Sequence, residues 1–111
     1  MIQLTPHMRI KVAVEPVDFR KGIDGLAAVC RQVLTSDPFS GGVFVFRNKR
    51  KTAIKILCYD GQGFGLFQKR LSRGHFSWWP EREGSVVEKL AVHELQLLLW
   101  NGDPRFSRVA A

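Results

Sequence analysis

The sequence predicts an α+β fold, an antiparallel β-meander of about four to six strands with one helix near the N-terminus and one at the C-terminus. Three observations carry that expectation. Short apolar runs with period-two alternation are joined by turn-rich connections, two other stretches space their apolar residues three and four apart, and 111 residues at 45% apolar content suit one core. A chain of this length buries roughly two-thirds of its unfolded surface, so residues 1–111 are expected to form a single domain without metal or disulfide staples.

Met8, Ile10, Val12 and Val14 alternate with Arg9, Lys11, Ala13 and Glu15, the pattern of a half-buried strand that Pro16 ends. Asp18 is placed to cap a helix whose buried stripe is Ile23, Leu26, Ala27, Cys30, Val33 and Leu34. Gly22 and Gly25 either weaken its first turns or mark a close backbone approach. The stretch from Thr35 to Gly42, with Asp37-Pro38 and Gly41-Gly42, stops the helix and turns the chain. Strands follow over Val43–Arg47, Thr52–Tyr59 and Phe64–Arg70, joined by Asn48-Lys49-Arg50-Lys51 and Asp60-Gly61-Gln62-Gly63, which are hairpin connections. In the second of these strands Ile54, Ile56 and Cys58 share one face. Ala53, Lys55, Leu57 and Tyr59 share the other, expected to be mixed and open to a partner. His75–Trp79 reads as a further strand before Pro80, Glu81–Gly84 as a charged loop and Ser85–Glu88 as a short strand. Val92–Trp100 reads as a terminal helix burying Leu95, Leu98 and Leu99, stopped by Gly102 and Pro104.

Charge is distributed unevenly. Of the net +7, all is accounted for between Arg47 and Arg73, where Arg47, Lys49, Arg50, Lys51, Lys55, Lys69, Arg70 and Arg73 face one acid, Asp60. The rest of the chain balances nine basic residues against nine acidic ones. Charge concentrated on one sheet is what a phosphate-binding surface requires, whereas charge that only solubilises is spread. The 47–51 hairpin tip can offer several cations to a nucleic-acid backbone without burying them; the bland reading is a solvated turn whose lysines discourage strand addition. Arg20 and Lys21 lie at the positively poled start of the first expected helix, an unfavourable place for cations unless an anion binds there, so they are candidates for a second phosphate contact. The adjacent Trp78 and Trp79, on a strand, would point to opposite faces and offer one indole to a partner. Most other aromatics alternate as core residues do.

Other chemistries find little support. Gly61-Gln62-Gly63-Phe64-Gly65 leads into a strand, not a helix, and so reads as a turn and not a phosphate loop. Cys30, Cys58, His75 and His93 lack the close pairing of zinc ligands, and the two cysteines read as buried free thiols. Carboxylates such as Glu15, Asp60 and Glu94 are scattered, so no catalytic residue, metal or cofactor is expected and the protein is read as non-enzymatic. No apolar run approaches the roughly 18 residues of a membrane span and no leader pattern opens the chain, so the expectation is a cytoplasmic bacterial protein without a membrane partner.

Asp18-Phe19-Arg20-Lys21-Gly22 with Gly25-Leu26, then DPFSG at 37–41, FVFRNKRK at 44–51, IKIL at 54–57, the turn from Asp60 to Phe64, KRLSRG at 69–74 and HELQLLLWNG at 93–102 lie in one collinear order. Together they resemble the second-frame accessory proteins, called TnpB, of insertion sequences of the sixty-six type. These are distinct from the much longer RNA-guided nucleases that share the name. Ser72 stands where members of the family often carry an acid, which makes this segment slightly more basic. The resemblance implies a small protein encoded beside a separate transposase and needed with it for efficient transposition. Joined to the charge pattern, it gives the expectation of a DNA-binding accessory factor acting at element ends. The alternative is a protein-interaction adaptor that meets the transposase through Trp78, Trp79 and the terminal helix without touching DNA.

Overall fold

The structure, a computed structural model, describes residues 8–103. Its elements run β1 (Ile10–Ala13), α1 (Ile23–Gln32), β2 (Val43–Arg47), β3 (Ala53–Tyr59), β4 (Phe64–Arg70), β5 (Val87–Leu90) and α2 (Val92–Leu99). The strands form one five-stranded sheet in the order β4-β3-β2-β1-β5.

Short turns make β2, β3 and β4 an antiparallel meander in which Val45 faces Ile56 and Ile56 faces Phe67. The sheet as a whole is mixed, which corrects the purely antiparallel expectation: β1 runs parallel to β2, with Val12 opposite Val45. A parallel neighbour needs a long crossover, and α1 supplies it. Helix α1 therefore lies inside a β-α-β unit, while β5 closes the far edge antiparallel to β1, with Val12 opposite Glu88.

Both faces of the sheet are covered. Leu26, Ala27 and Cys30 of α1, with Leu34, pack on Ala13, Phe44, Phe46 and Leu57. Leu95 and Leu98 of α2, with Phe76 and Trp79, pack on Val12, Val45, Ile54 and Ile56. The face holding Lys55 and Leu57 is thus a second core and not the open surface expected, and β2 is buried along its whole length. Strands buried on both sides read as continuous apolar runs, as Val43–Phe46 does.

Several local expectations are also corrected. Asp18 does not cap α1; Gly22 holds that position without a side-chain cap. The Asp18 carboxylate instead accepts bonds from the backbone N–H of Arg20 at 2.9 Å and from its guanidinium at 2.7 Å. Val33, placed in the buried stripe of that helix, lies beyond its last turn and is exposed. His75–Trp79 forms no strand: it crosses the α2-side core irregularly, anchored by Phe76, whose N–H donates to the Lys51 carbonyl at 2.7 Å. The strand expected over Ser85–Glu88 begins two residues later, because Ser85 N–H closes a turn onto the Arg82 carbonyl and Gly84 takes a φ of +78°. Helix α2 ends at Leu99, where Gly102 N–H donates to the Leu97 carbonyl at 2.7 Å and Asn101 adopts a φ of +62°. Pro104, expected to help stop that helix, lies outside the described residues.

Candidate nucleic-acid interface

The β2–β3 connection is organised by Asn48. Its Oδ1 accepts the N–H groups of Thr52 (2.9 Å) and Ala53 (3.1 Å), and its Nδ2 donates to Thr52 Oγ1 at 2.7 Å. With Lys51 in the left-handed region at φ +59°, the turn is tight and leaves Lys49 and Arg50 exposed at its tip. The chain after β4 is fastened beside it: Leu71 N–H donates to the Thr52 carbonyl at 2.9 Å and Phe76 N–H to that of Lys51. Arg70, opposite Ala53, and Arg73, in the loop so fastened, are exposed at this same end of the sheet. Lys51 is half-buried, with Nζ 3.5 Å from the Glu81 carboxylate. Lys49, Arg50, Arg70 and Arg73 thus form a cationic end built from two segments.

The segment before α1 is tied to this end as well. Val17 N–H donates to the Arg47 carbonyl at 3.0 Å, and Lys55 Nζ donates to the carbonyls of Phe19 (2.8 Å) and Lys21 (2.9 Å). Lys21 and Arg20 are exposed there. Arg20 forms an ion pair with Asp18, and its hydrogen bonds to that carboxylate lower the Asp18 pKa from the ordinary 3.8 to about 2. Arg20 sits ahead of α1, and its charge is already answered by Asp18, so the predicted conflict with the helix dipole does not arise.

Three cations of the basic window have other work. Lys55 is only 7% exposed, and besides its two carbonyl bonds its Nζ lies 5.0 Å from the Phe19 ring centroid. Arg47, 8% exposed, donates through Nη1 to the carbonyls of Asn48 (3.2 Å) and Lys49 (3.4 Å) and stands 5.9 Å from the Trp79 ring. These two are corrected from surface contacts to internal fastenings of the turn and of the 17–21 segment. Lys69 donates to the Leu99 carbonyl, a cation at the negative end of α2.

The tryptophans are likewise rearranged. Trp79 is 3% exposed and its indole N–H donates to the Ala13 carbonyl at 2.9 Å, so it belongs to the core. Trp78 is half-buried on a cavity of about 520 Å³ that it shares with Lys51, Arg82 and Glu88. The indole most open to a partner is Trp100, 84% exposed. The sequence reading places it only as the last residue of the terminal helix. The 100° step of a helix nevertheless puts position 100 about opposite the Leu95–Leu98 stripe.

Asp60 accepts the N–H groups of Gln62 and Gly63, both at 2.9 Å, and these bonds lower its pKa, as its reading as a turn residue requires. Cys30 and Cys58 are free thiols, and burial pushes Cys30 up to about 11. Among the described residues no three His, Cys, Asp or Glu side chains are grouped to hold a metal ion, and no helix is long and apolar enough to cross a membrane.

Residues 8–105 match the family described as IS66 Orf2 like protein. An uncharacterized protein of Sinorhizobium fredii, y4jC, is 38% identical over 99 residues, covering 89% of this chain and 83% of its own. A second from the same organism, y4hO, is 38% identical over 87 residues, covering 78% of this chain and 75% of its own. No solved structure matches the chain. With a match running from β1 past the end of α2, the chain belongs to the IS66 Orf2-like family, the TnpB accessory proteins of insertion sequences.

Proposed function

We propose that this protein is a non-catalytic DNA-binding factor that assists a separate transposase at the ends of its element. The observation that carries the reading is the cationic end of the sheet, where Lys49 and Arg50 at a locked turn stand beside Arg70 and Arg73 from a segment fastened to that turn. Exposed cations on a rigid scaffold can neutralise phosphates and release their counterions, and several acting together give affinity that is independent of base sequence. Arg20 and Lys21 extend the same end toward α1, with Arg20 able to exchange Asp18 for a phosphate.

The test is binding of the purified protein to labelled element-end DNA, alone and with the transposase. The triple variant K49A/R50A/R73A is expected to bind more weakly while keeping its melting temperature, since exposed charges contribute little to folding. Undiminished binding by that variant would refute the assignment. Incubation with magnesium or manganese is expected to leave the DNA uncut and unjoined; nicking that a single carboxylate substitution abolishes would refute the non-catalytic part.

A further inference from the structure

We propose that Trp100 is a stacking platform for an unpaired base, so that the protein engages a single-stranded or frayed stretch of DNA and not duplex alone. This rests on the reading that the cationic end of the sheet meets DNA.

Trp100 follows the last turn of α2, and its 84% exposure leaves a large aromatic surface in water. The backbone carrying it is held from both sides. Trp100 N–H donates to the Gln96 and Leu97 carbonyls, while the next residue, Asn101, accepts Ser77 N–H on Oδ1 at 2.7 Å and donates from Nδ2 to the His75 carbonyl at 3.3 Å. A presented indole on fixed backbone loses little entropy when a base stacks on it. Lys69 Nζ lies 5.5 Å from the ring centroid, over one face, and the exposure of the residue leaves the opposite face open.

The chemistry around the ring selects the partner. Lys69 places a cation over the Trp100 ring and the polar Asn101 follows it in the chain, while the aliphatic residues nearest in sequence are the exposed Leu97 and the half-buried Leu99. The His75 carbonyl joins this site to the loop that carries Arg73, and that loop is bonded through Phe76 to the Lys49–Lys51 turn. Cations and an open aromatic ring on one connected surface are what a single strand uses: phosphates track the cations and a base stacks on the ring.

The full chain can be titrated with a fluorescein-labelled thymidine strand of about 16 nucleotides and with a duplex of equal length, following anisotropy and tryptophan emission. The strand is expected to bind with quenching of emission. Trp100→Ala should weaken strand binding by about 5- to 150-fold and remove most of the quenching. Trp100→Phe should restore most of the affinity, with duplex binding changed by less than about twofold in both variants. An unchanged melting temperature in Trp100→Ala would show that the loss is not one of folding. Equal strand affinity of Trp100→Ala and wild type overturns the stacking proposal while duplex binding by the wild type leaves the cationic surface standing. If wild type binds neither DNA, both readings fall. If Trp100→Ala loses capture of the transposase but keeps strand affinity, the ring is a protein contact and the proposal is overturned.

Discussion

Burial removes Lys55 and Arg47 from any competition for phosphate. An ammonium that is 7% exposed and bonded to two carbonyls would have to break both bonds and pull the 19–21 segment from the sheet to reach an outside anion. Lys55→Ala is therefore expected to cost about 2–3 kcal/mol, a fall in melting temperature on the order of 10 °C, while leaving the salt dependence of DNA binding as it was. A lysine inside a strand reads from sequence as solvent-facing because its partners lie 34 and 36 residues away in a loop whose position the sequence does not display. Asp18 offers a second check. Its carboxyl, held at about 2 by Arg20, should titrate there by NMR and return toward 3.8 in Arg20→Ala. Because the folded pKa is the lower one, the contact helps folding above about 3.8 and is lost as pH falls toward 2. A midpoint near 3.8 in the wild type would remove the ion pair.

At the level of elements, the strands β2, β3 and β4 were legible almost to the residue, since each is bounded by a polar turn that leaves little freedom of register. The direction of β1 was not. Period-two alternation is the same for parallel and antiparallel neighbours, and only the crossover through α1 distinguishes them. The segment from His75 to Trp79 reads as a strand because aromatic residues before a proline fit a strand equally well as an irregular span crossing a core. Trp79 makes the distinction measurable: Trp79→Phe removes the bond to the Ala13 carbonyl and should destabilise by about 2–3 kcal/mol. Equilibrium denaturation would read that loss, and a neutral result would return Trp79 to the list of surface contacts. Acrylamide quenching of the wild type should rank the indoles, with Trp100 the most accessible, Trp78 partly accessible and Trp79 protected.

For the whole molecule, the concentration of charge in residues 47–73 was visible in the sequence, but its meaning was only partly so. The sheet sorts those cations by exposure, turning Arg47 and Lys55 inward as fastenings, holding the half-buried Lys51 and Lys69 to Glu81 and to the end of α2, and leaving Lys49, Arg50, Arg70 and Arg73 exposed at one end. Topology adds what composition could not, since the 17–21 segment and the 71–76 loop are both bonded to the β2–β3 end. Family membership gives this surface its setting, an insertion-sequence accessory protein.

The most direct measurement is the affinity for element-end duplex as a function of salt in the wild type and in K49A/R50A/R73A. A surface that neutralises four to six phosphates gives a slope of the logarithm of affinity against the logarithm of salt of about −4 to −5. Removing three contacts should flatten it by about 2 to 3, with melting temperature unchanged. The same slope in both proteins would show that DNA, if bound, is held elsewhere and would contradict the account.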